Sequence, residues 1–153
     1  MRVWRICRNP YAAAPLSGRG GLFTSGRWHT KGRRVVYTSG SLSLAALEIL
    51  VHVDRDMLPP DLVQLEIDVP DNLEIERIKL KTLPRNWRSY PAPAALQQRG
   101  DDWLAAGSTP ALQVPSAVIP EEFNLILNPQ HAGARKIRLV STRDFRYDSR
   151  LTS

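Results

Sequence analysis

The stretch "LSLAALEILVHV", residues 42–53, is a run of apolar side chains broken by one carboxylate, Glu48. Serines in the preceding "SGSLS" supply helix-start chemistry, and strong helix formers fill Leu44 to Leu50, so the segment predicts a helix. Ionised glutamate is seldom buried without a partner, because the interior offers nothing to replace its lost hydration. On a helix, the residues three and four positions from Glu48 are Leu44, Ala45, Val51 and His52, none of them a lysine or arginine. Glu48 therefore marks either the solvent edge of an amphipathic helix, beside Ser43, Ala46 and His52, or a carboxylate with a function.

Upstream, "VWRIC" at residues 3–7 predicts a short strand, and "NPYAAAPLSGRGG" at 9–21 carries too much turn chemistry for anything but a loop. "GRWHTKGRRVVYTS" then predicts an extended segment, a Lys-Gly turn and a second strand centred on Val35, Val36 and Tyr37. Downstream, "LVQLEIDV" alternates: Val63, Leu65, Ile67 and Val69 share one face, and Gln64, Glu66 and Asp68 the other. Ala94 to Ala106 predicts a helix ending at Gly107. "ALQVPSAVIP" and "NLILNP" predict short buried extended pieces, and "KIRLVSTRDFRYD" two further strands. With no internal repeat or linker, residues 1–153 are expected to form a single compact α+β domain of short mixed strands and flanking helices.

The chain has 153 residues, 42% of them hydrophobic, and no apolar run approaches the length that spans a bilayer. A soluble, cytoplasmic protein is expected. Its single cysteine, Cys7, leaves no intrachain disulfide and no cysteine cluster for zinc, and no metal is expected. The net charge of +6 comes mostly from arginine, whose planar fork suits phosphates and carboxylates. A nucleotide, an acidic protein or a nucleic acid all fit that charge.

Several motifs in order carry a resemblance: "VWRI" at the start, "GGLFTSGRWHTKGRRVVYTSGSLSLAALEILVH", "LP..W" at 83–87, "G..WL" at 100–104, "VPSAVIPEEFNLILNPQH" at 114–131 and "F.YDSRL" near the end. As a set, they make the chain resemble the RES-domain toxins of Xre–RES toxin–antitoxin systems. The resemblance implies a fold similar to ADP-ribosyltransferase toxins, consumption of NAD by phosphorolysis or hydrolysis, and inhibition by an Xre-type antitoxin in an oligomeric complex. It places Arg27, Tyr37, Glu48 and Ser116 on the family's catalytic positions. NAD is then a substrate, inorganic phosphate a candidate co-substrate, and no permanently bound cofactor is implied.

The residue types suit that chemistry. The nicotinamide of NAD is already a cationic leaving group, so cleavage develops an oxocarbenium-like ribose that a carboxylate such as Glu48 stabilises. Arg27 matches the diphosphate or an incoming phosphate, and the alternative of a surface strand arginine is disfavoured by the glycine before it and Trp28 after it. Tyr37 would stack on nicotinamide or ribose and place its hydroxyl on a polar atom, or else pack across strands. Ser116, held after Pro115, would orient phosphate or nicotinamide, or serve an ordinary turn. Arg5 alternates with Val3 and Cys7, and a buried charge there calls for substrate phosphate or an internal carboxylate. Asn124, Asn128 and His131 are candidates for the site lining, with turn and capping roles equally open. His29 is left out of the site.

Two rival functions stay open. The same residues serve a mono-ADP-ribosyltransferase whose acceptor is a protein. The basic charge and "KGRR" at 31–34 fit a nucleic-acid-binding module, but the basic residues are spread along the chain with no helix-turn-helix or finger spacing, so direct nucleic-acid binding is not expected. No GxGxxG follows a strand and no HExxH is present, so neither a dinucleotide fingerprint nor a zinc hydrolase is expected.

Overall fold

The alternating stretch at residues 62–69 becomes the spine of the molecule. In a computed structural model describing residues 1–153, it forms strand β3 (Leu62–Asp68), with Val63, Leu65, Ile67 and the following Val69 all in the largest apolar cluster. Gln64, Glu66 and Asp68 lie on the half-buried face, so the period-2 reading holds along the strand. β3 pairs antiparallel with β1 (Arg2–Arg8) on one side and β7 (Arg138–Asp144) on the other. With β2 (Val36–Ser39), β4 (Ile75–Arg77), β5 (Ala111–Pro115) and β6 (Phe123–Leu127), they make one seven-stranded sheet in the order β4-β5-β6-β2-β1-β3-β7. Only the β4–β5 pair is parallel. The architecture is the α+β one expected.

Two expectations change, and one strand had no forewarning. The extended segment before β2 is not a strand: residues 26–34 form turns, with a lone bridge between Gly26 and His29. β4 carries no period-2 signal and is held by pairing Ile75, Glu76 and Arg77 with Ala111, Leu112 and Gln113. The final "KIRLVSTRDFRYD" yields one strand, β7, which takes the sheet edge through a bulge at Glu66/Ile67.

Helix α1 (Leu42–Leu50) starts where the serines predict: Ser41 is its N-cap, its side chain accepting from the Leu44 amide at 3.1 Å. Its apolar face enters one cluster with the sheet. Ala45 packs with Ile6 of β1 and Leu62 of β3, while Phe145 and Tyr147 of the carboxy-terminal segment close over the same cluster. The Tyr147 hydroxyl donates to the Ala46 carbonyl, and its burial pushes the phenol up to about 12.

Helix α2 (Ala94–Ala106) ends as expected at Gly107, which takes a left-handed φ of 60°. It carries Leu96 and Trp103 into a second cluster with Trp28, Trp87, Leu112, Val114 and Ile126. α2 also touches backbone: a Cβ on Gly100 would sit 1.6 Å from the Trp28 carbonyl oxygen. Because the atom in the way is main chain, no rotamer change relieves the contact. Gly100→Ala is expected to destabilise the fold by about 2–4 kcal/mol, measured by denaturant unfolding, although alanine is the better helix former.

A cleft where the sheet parts

β1 and β2 are neighbours in the sheet, yet they share a single ladder position, Trp4 with Ser39. Beyond it the strands separate. A cleft of about 610 Å³ opens there, lined by Trp4, Arg5 and Ile6 from β1 and by Tyr37, Thr38 and Ser39 from β2. The turn at residues 24–29, Glu48 of α1 and Asn124 of β6 complete the wall.

Glu48 reaches this cleft half-buried, and its partners come from far along the chain. The Ser116 hydroxyl donates to Glu48 Oε1 at 2.9 Å and Asn124 Nδ2 to the same oxygen at 2.8 Å. Glu48 is thus not at a free solvent edge, and its Oε2 takes no hydrogen bond from the protein. Ser39 Oγ donates to Asn124 Oδ1 at 3.4 Å, which sets which end of the amide faces the carboxylate.

Ser116 has a different task from the one its sequence context suggests. It is fully buried, its one proton goes to Glu48, and its oxygen accepts from the Val118 and Ile119 amides, both at 3.1 Å. No hydrogen remains for phosphate or nicotinamide, so Ser116 positions Glu48.

Arg27 sits in the turn before β2. Its Nη1 donates to the carbonyls of Trp87 at 2.8 Å and Ser89 at 2.9 Å, a grip that fixes the guanidinium with no carboxylate in ion-pair contact. Burial lowers its pKa, opposed by the charge of Glu48. Arg5 is similar: Nη1 donates to the Pro15 carbonyl, burial lowers its pKa, and no internal carboxylate pairs with it. Two partly desolvated guanidiniums without anions face one cleft, an arrangement suited to a doubly charged ligand.

Tyr37 presents its ring to the cleft, while its hydroxyl is engaged inside the protein. It meets the Trp28 amide at 3.1 Å and His29 Nδ1 at 2.7 Å, and burial pushes the phenol far above the ordinary tyrosine range. The expectation that this hydroxyl contacts a ligand is replaced by an internal bond. His29, left out of the site on sequence grounds, lines it, buried and bonded also to the Thr24 carbonyl at 2.8 Å. Nothing in the spacing of residues 24, 29 and 37 announces this; only the turn brings them together.

Asn128 and His131 lie outside the cleft. Asn128 Oδ1 accepts from the Gln130 amide and His131 Nδ1 from the Gly133 amide, the turn and cap roles left open for them. Cys7 is buried in the main core, and desolvation raises its thiol pKa. The "KGRR" run is largely engaged: Arg33 pairs with buried Asp101 at 3.0 Å, and Arg34 donates to the Ser17 carbonyl.

The RES domain model matches residues 2–148 of this sequence. Among known proteins, "Toxin Res" of Photorhabdus laumondii subsp. laumondii is 40% identical over 152 residues, covering 99% of this chain and 97% of that protein. The chain belongs to the RES domain family of toxins. A second relative, the "Prs ADP-ribosylating toxin" of Sphingobium sp., is 38% identical over 97% of this chain and 94% of its own length. The fold matches a chain in the crystal structure of the M. tuberculosis MbcT–MbcA toxin–antitoxin complex with a TM-score of 0.76, at 15% identity, over 94% of this chain and 83% of that one. The RES domain here thus keeps a shared fold at low identity. No helix is long and apolar enough to cross a membrane.

Two outcomes follow from the geometry of the cleft. Ser116→Ala leaves two amides without their acceptor and Glu48 with one donor, and is expected to cost about 1–3 kcal/mol in denaturant unfolding. Burial lowers the His29 pKa below its unfolded value of about 6.5. Between those two values the unfolded chain binds the proton and the folded chain does not, so stability rises with pH across the window and is lost on acidification through it. Unfolding free energies measured from pH 7.5 downward are expected to fall in that window for the wild type and to fall less for His29→Asn.

Proposed function

We propose that this RES domain degrades NAD by breaking the bond between nicotinamide and ribose, with inorganic phosphate or water as acceptor. The observation that carries the reading is Glu48: both of its protein donors bind Oε1, and Oε2 is left without a protein partner on a residue lining a cleft that also holds two guanidiniums without acidic partners. An oxygen held in this way is placed to stabilise positive charge developing on the ribose or to accept from a ribose hydroxyl. Because it is already oriented, little reorganisation accompanies the reaction.

Arg27 and Arg5 hold the diphosphate in this reading, or Arg27 receives the attacking phosphate. The Tyr37 ring supplies a flat apolar surface for nicotinamide or ribose. As the C1′–N bond breaks, its electron pair goes to the pyridinium nitrogen and neutralises it, and the acceptor oxygen forms the new bond to C1′. With phosphate the product is ADP-ribose-1″-phosphate, and with water it is ADP-ribose. An antitoxin that covers the cleft restrains the activity, a reading supported by the toxin–antitoxin complex that shares the fold.

Transfer of ADP-ribose to a protein is the second reading, favoured by the 38% identical relative whose name states ADP-ribosylation. It uses the same activation of NAD and differs in the acceptor.

Incubating the purified protein with NAD, with and without phosphate, and identifying products by mass spectrometry decides among these. Products that require phosphate mean phosphorolysis; ADP-ribose in both means hydrolysis; intact NAD in both removes self-sufficient NAD degradation. Glu48→Gln keeps an oxygen for Ser116 and Asn124, so its stability is expected within about 0.5 kcal/mol of wild type while NAD turnover falls about 10²-fold or more. Full turnover in folded Glu48→Gln overturns the assignment.

A further inference from the structure

We propose that His29 is a positioning residue of the cleft: its neutral, Nε2-protonated ring fixes the Tyr37 hydroxyl and, through that hydroxyl, the backbone turn that presents Arg27. The kinetic consequence rests on the NAD-cleavage reading; the hydrogen-bond assignment does not.

The direction of each bond follows from what the partners are able to do. The Thr24 carbonyl only accepts, so the 2.8 Å contact to His29 Nε2 requires the proton on Nε2. A neutral ring then has a lone pair at Nδ1, which accepts from the Tyr37 hydroxyl at 2.7 Å. With its proton committed, the Tyr37 oxygen accepts from the Trp28 amide at 3.1 Å. Trp28 directly follows Arg27, so the chain of bonds from Thr24 ends on the peptide unit that carries the guanidinium.

The turn is pressed against this relay. A Cβ on Gly26 would lie 2.5 Å from the Tyr37 hydroxyl oxygen and 2.9 Å from His29 Nδ1, so only glycine lets the backbone approach. The Gly26 amide donates to the His29 carbonyl at 3.1 Å, and Gln97 of α2 donates to the Gly26 carbonyl at 3.0 Å. Residues 26–29 are therefore closed upon themselves and tied to α2, and the Tyr37 hydroxyl adds a hydrogen bond between that turn and the sheet to the packing of Trp28 in the cluster with Leu112, Val114 and Ile126. Losing the acceptor at Nδ1 frees the hydroxyl to rotate and loosens the Trp28 amide.

Two substitutions separate the ring's functions. His29→Asn places an amide oxygen near the Nδ1 position and keeps an acceptor for Tyr37; His29→Gln places its amide near Nε2 and removes that acceptor. Steady-state NAD consumption is expected to fall roughly tenfold to a hundredfold in kcat/KM for His29→Gln and to stay within about fivefold of wild type for His29→Asn. In a Tyr37→Phe background, which has no hydroxyl to hold, the two are expected to become equal. Equal activity of the two variants with Tyr37 present, or a difference that survives Tyr37→Phe, overturns the proposal.

A second measurement is independent of activity and of whether the variants fold. Long-range ¹H–¹⁵N correlation on the wild-type protein at pH 7.5 reads which ring nitrogen of His29 carries hydrogen. The Nε2–H form is expected, and an Nδ1–H or doubly protonated ring overturns the assignment. A protein that leaves NAD intact but shows Nε2–H removes the NAD reading and keeps the His29 relay.

Discussion

A carboxylate on an apolar helix needs a partner or water, and Glu48 is held through Ser116 at 2.9 Å and Asn124 at 2.8 Å. Those two bonds tie α1 to the β5–β6 hairpin across the place where the sheet parts. Much of the surrounding structure serves that contact. Ser116 is buried under its own loop, whose amides at 118 and 119 fix its oxygen. Asn124 is oriented by Ser39 of β2. α1 is pressed onto β1 and β3 by its apolar face and covered by Phe145 and Tyr147. The carboxylate is thus presented by a helix that cannot easily turn away, with one oxygen engaged and the other without a protein partner.

The arginines of the cleft are held by the same economy of hydrogen bonds. Arg27 is anchored by two carbonyls and not by an acid, so its position is fixed while its positive charge stays unmatched. A carboxylate partner would have neutralised it and left the cleft with less attraction for phosphate. Arg5 repeats the arrangement through the Pro15 carbonyl. The cleft therefore joins a negative centre at Glu48 to positive centres at Arg5 and Arg27, the polarity that a ligand with a cationic glycosidic end and an anionic diphosphate requires.

Under the proposed NAD cleavage, this constellation serves activation of the substrate and leaves the choice of acceptor to other features. Phosphate, water and a protein side chain all approach an oxocarbenium-like carbon from its open face, and activation of the glycosidic bond is common to the three. The identity is 15% with a TM-score of 0.76 in the solved toxin–antitoxin complex. The fold is thus kept while most side chains differ.

How much was legible in advance differs by element. Alternation at residues 63–69 determined β3 and its buried face, because period 2 has one geometric meaning in a half-buried strand. The serine cap and the terminal Gly107 determined the start of α1 and the end of α2, because both act within a single turn of chain. The motif order brought forward Arg27, Tyr37, Glu48 and Ser116, and the structure gathers all four with Asn124, a candidate named beside Asn128 and His131, with Ser116 buried behind Glu48. The partners of Glu48 lie 68 and 76 residues away, and no local pattern encodes such a distance. Tertiary structure alone decided that Ser116 serves Glu48, that the Tyr37 hydroxyl turns inward to His29, and that β4 is a strand. Each is set by which distant groups a folded sheet brings within hydrogen-bonding reach, whereas the sequence by itself determines what its near neighbours can satisfy.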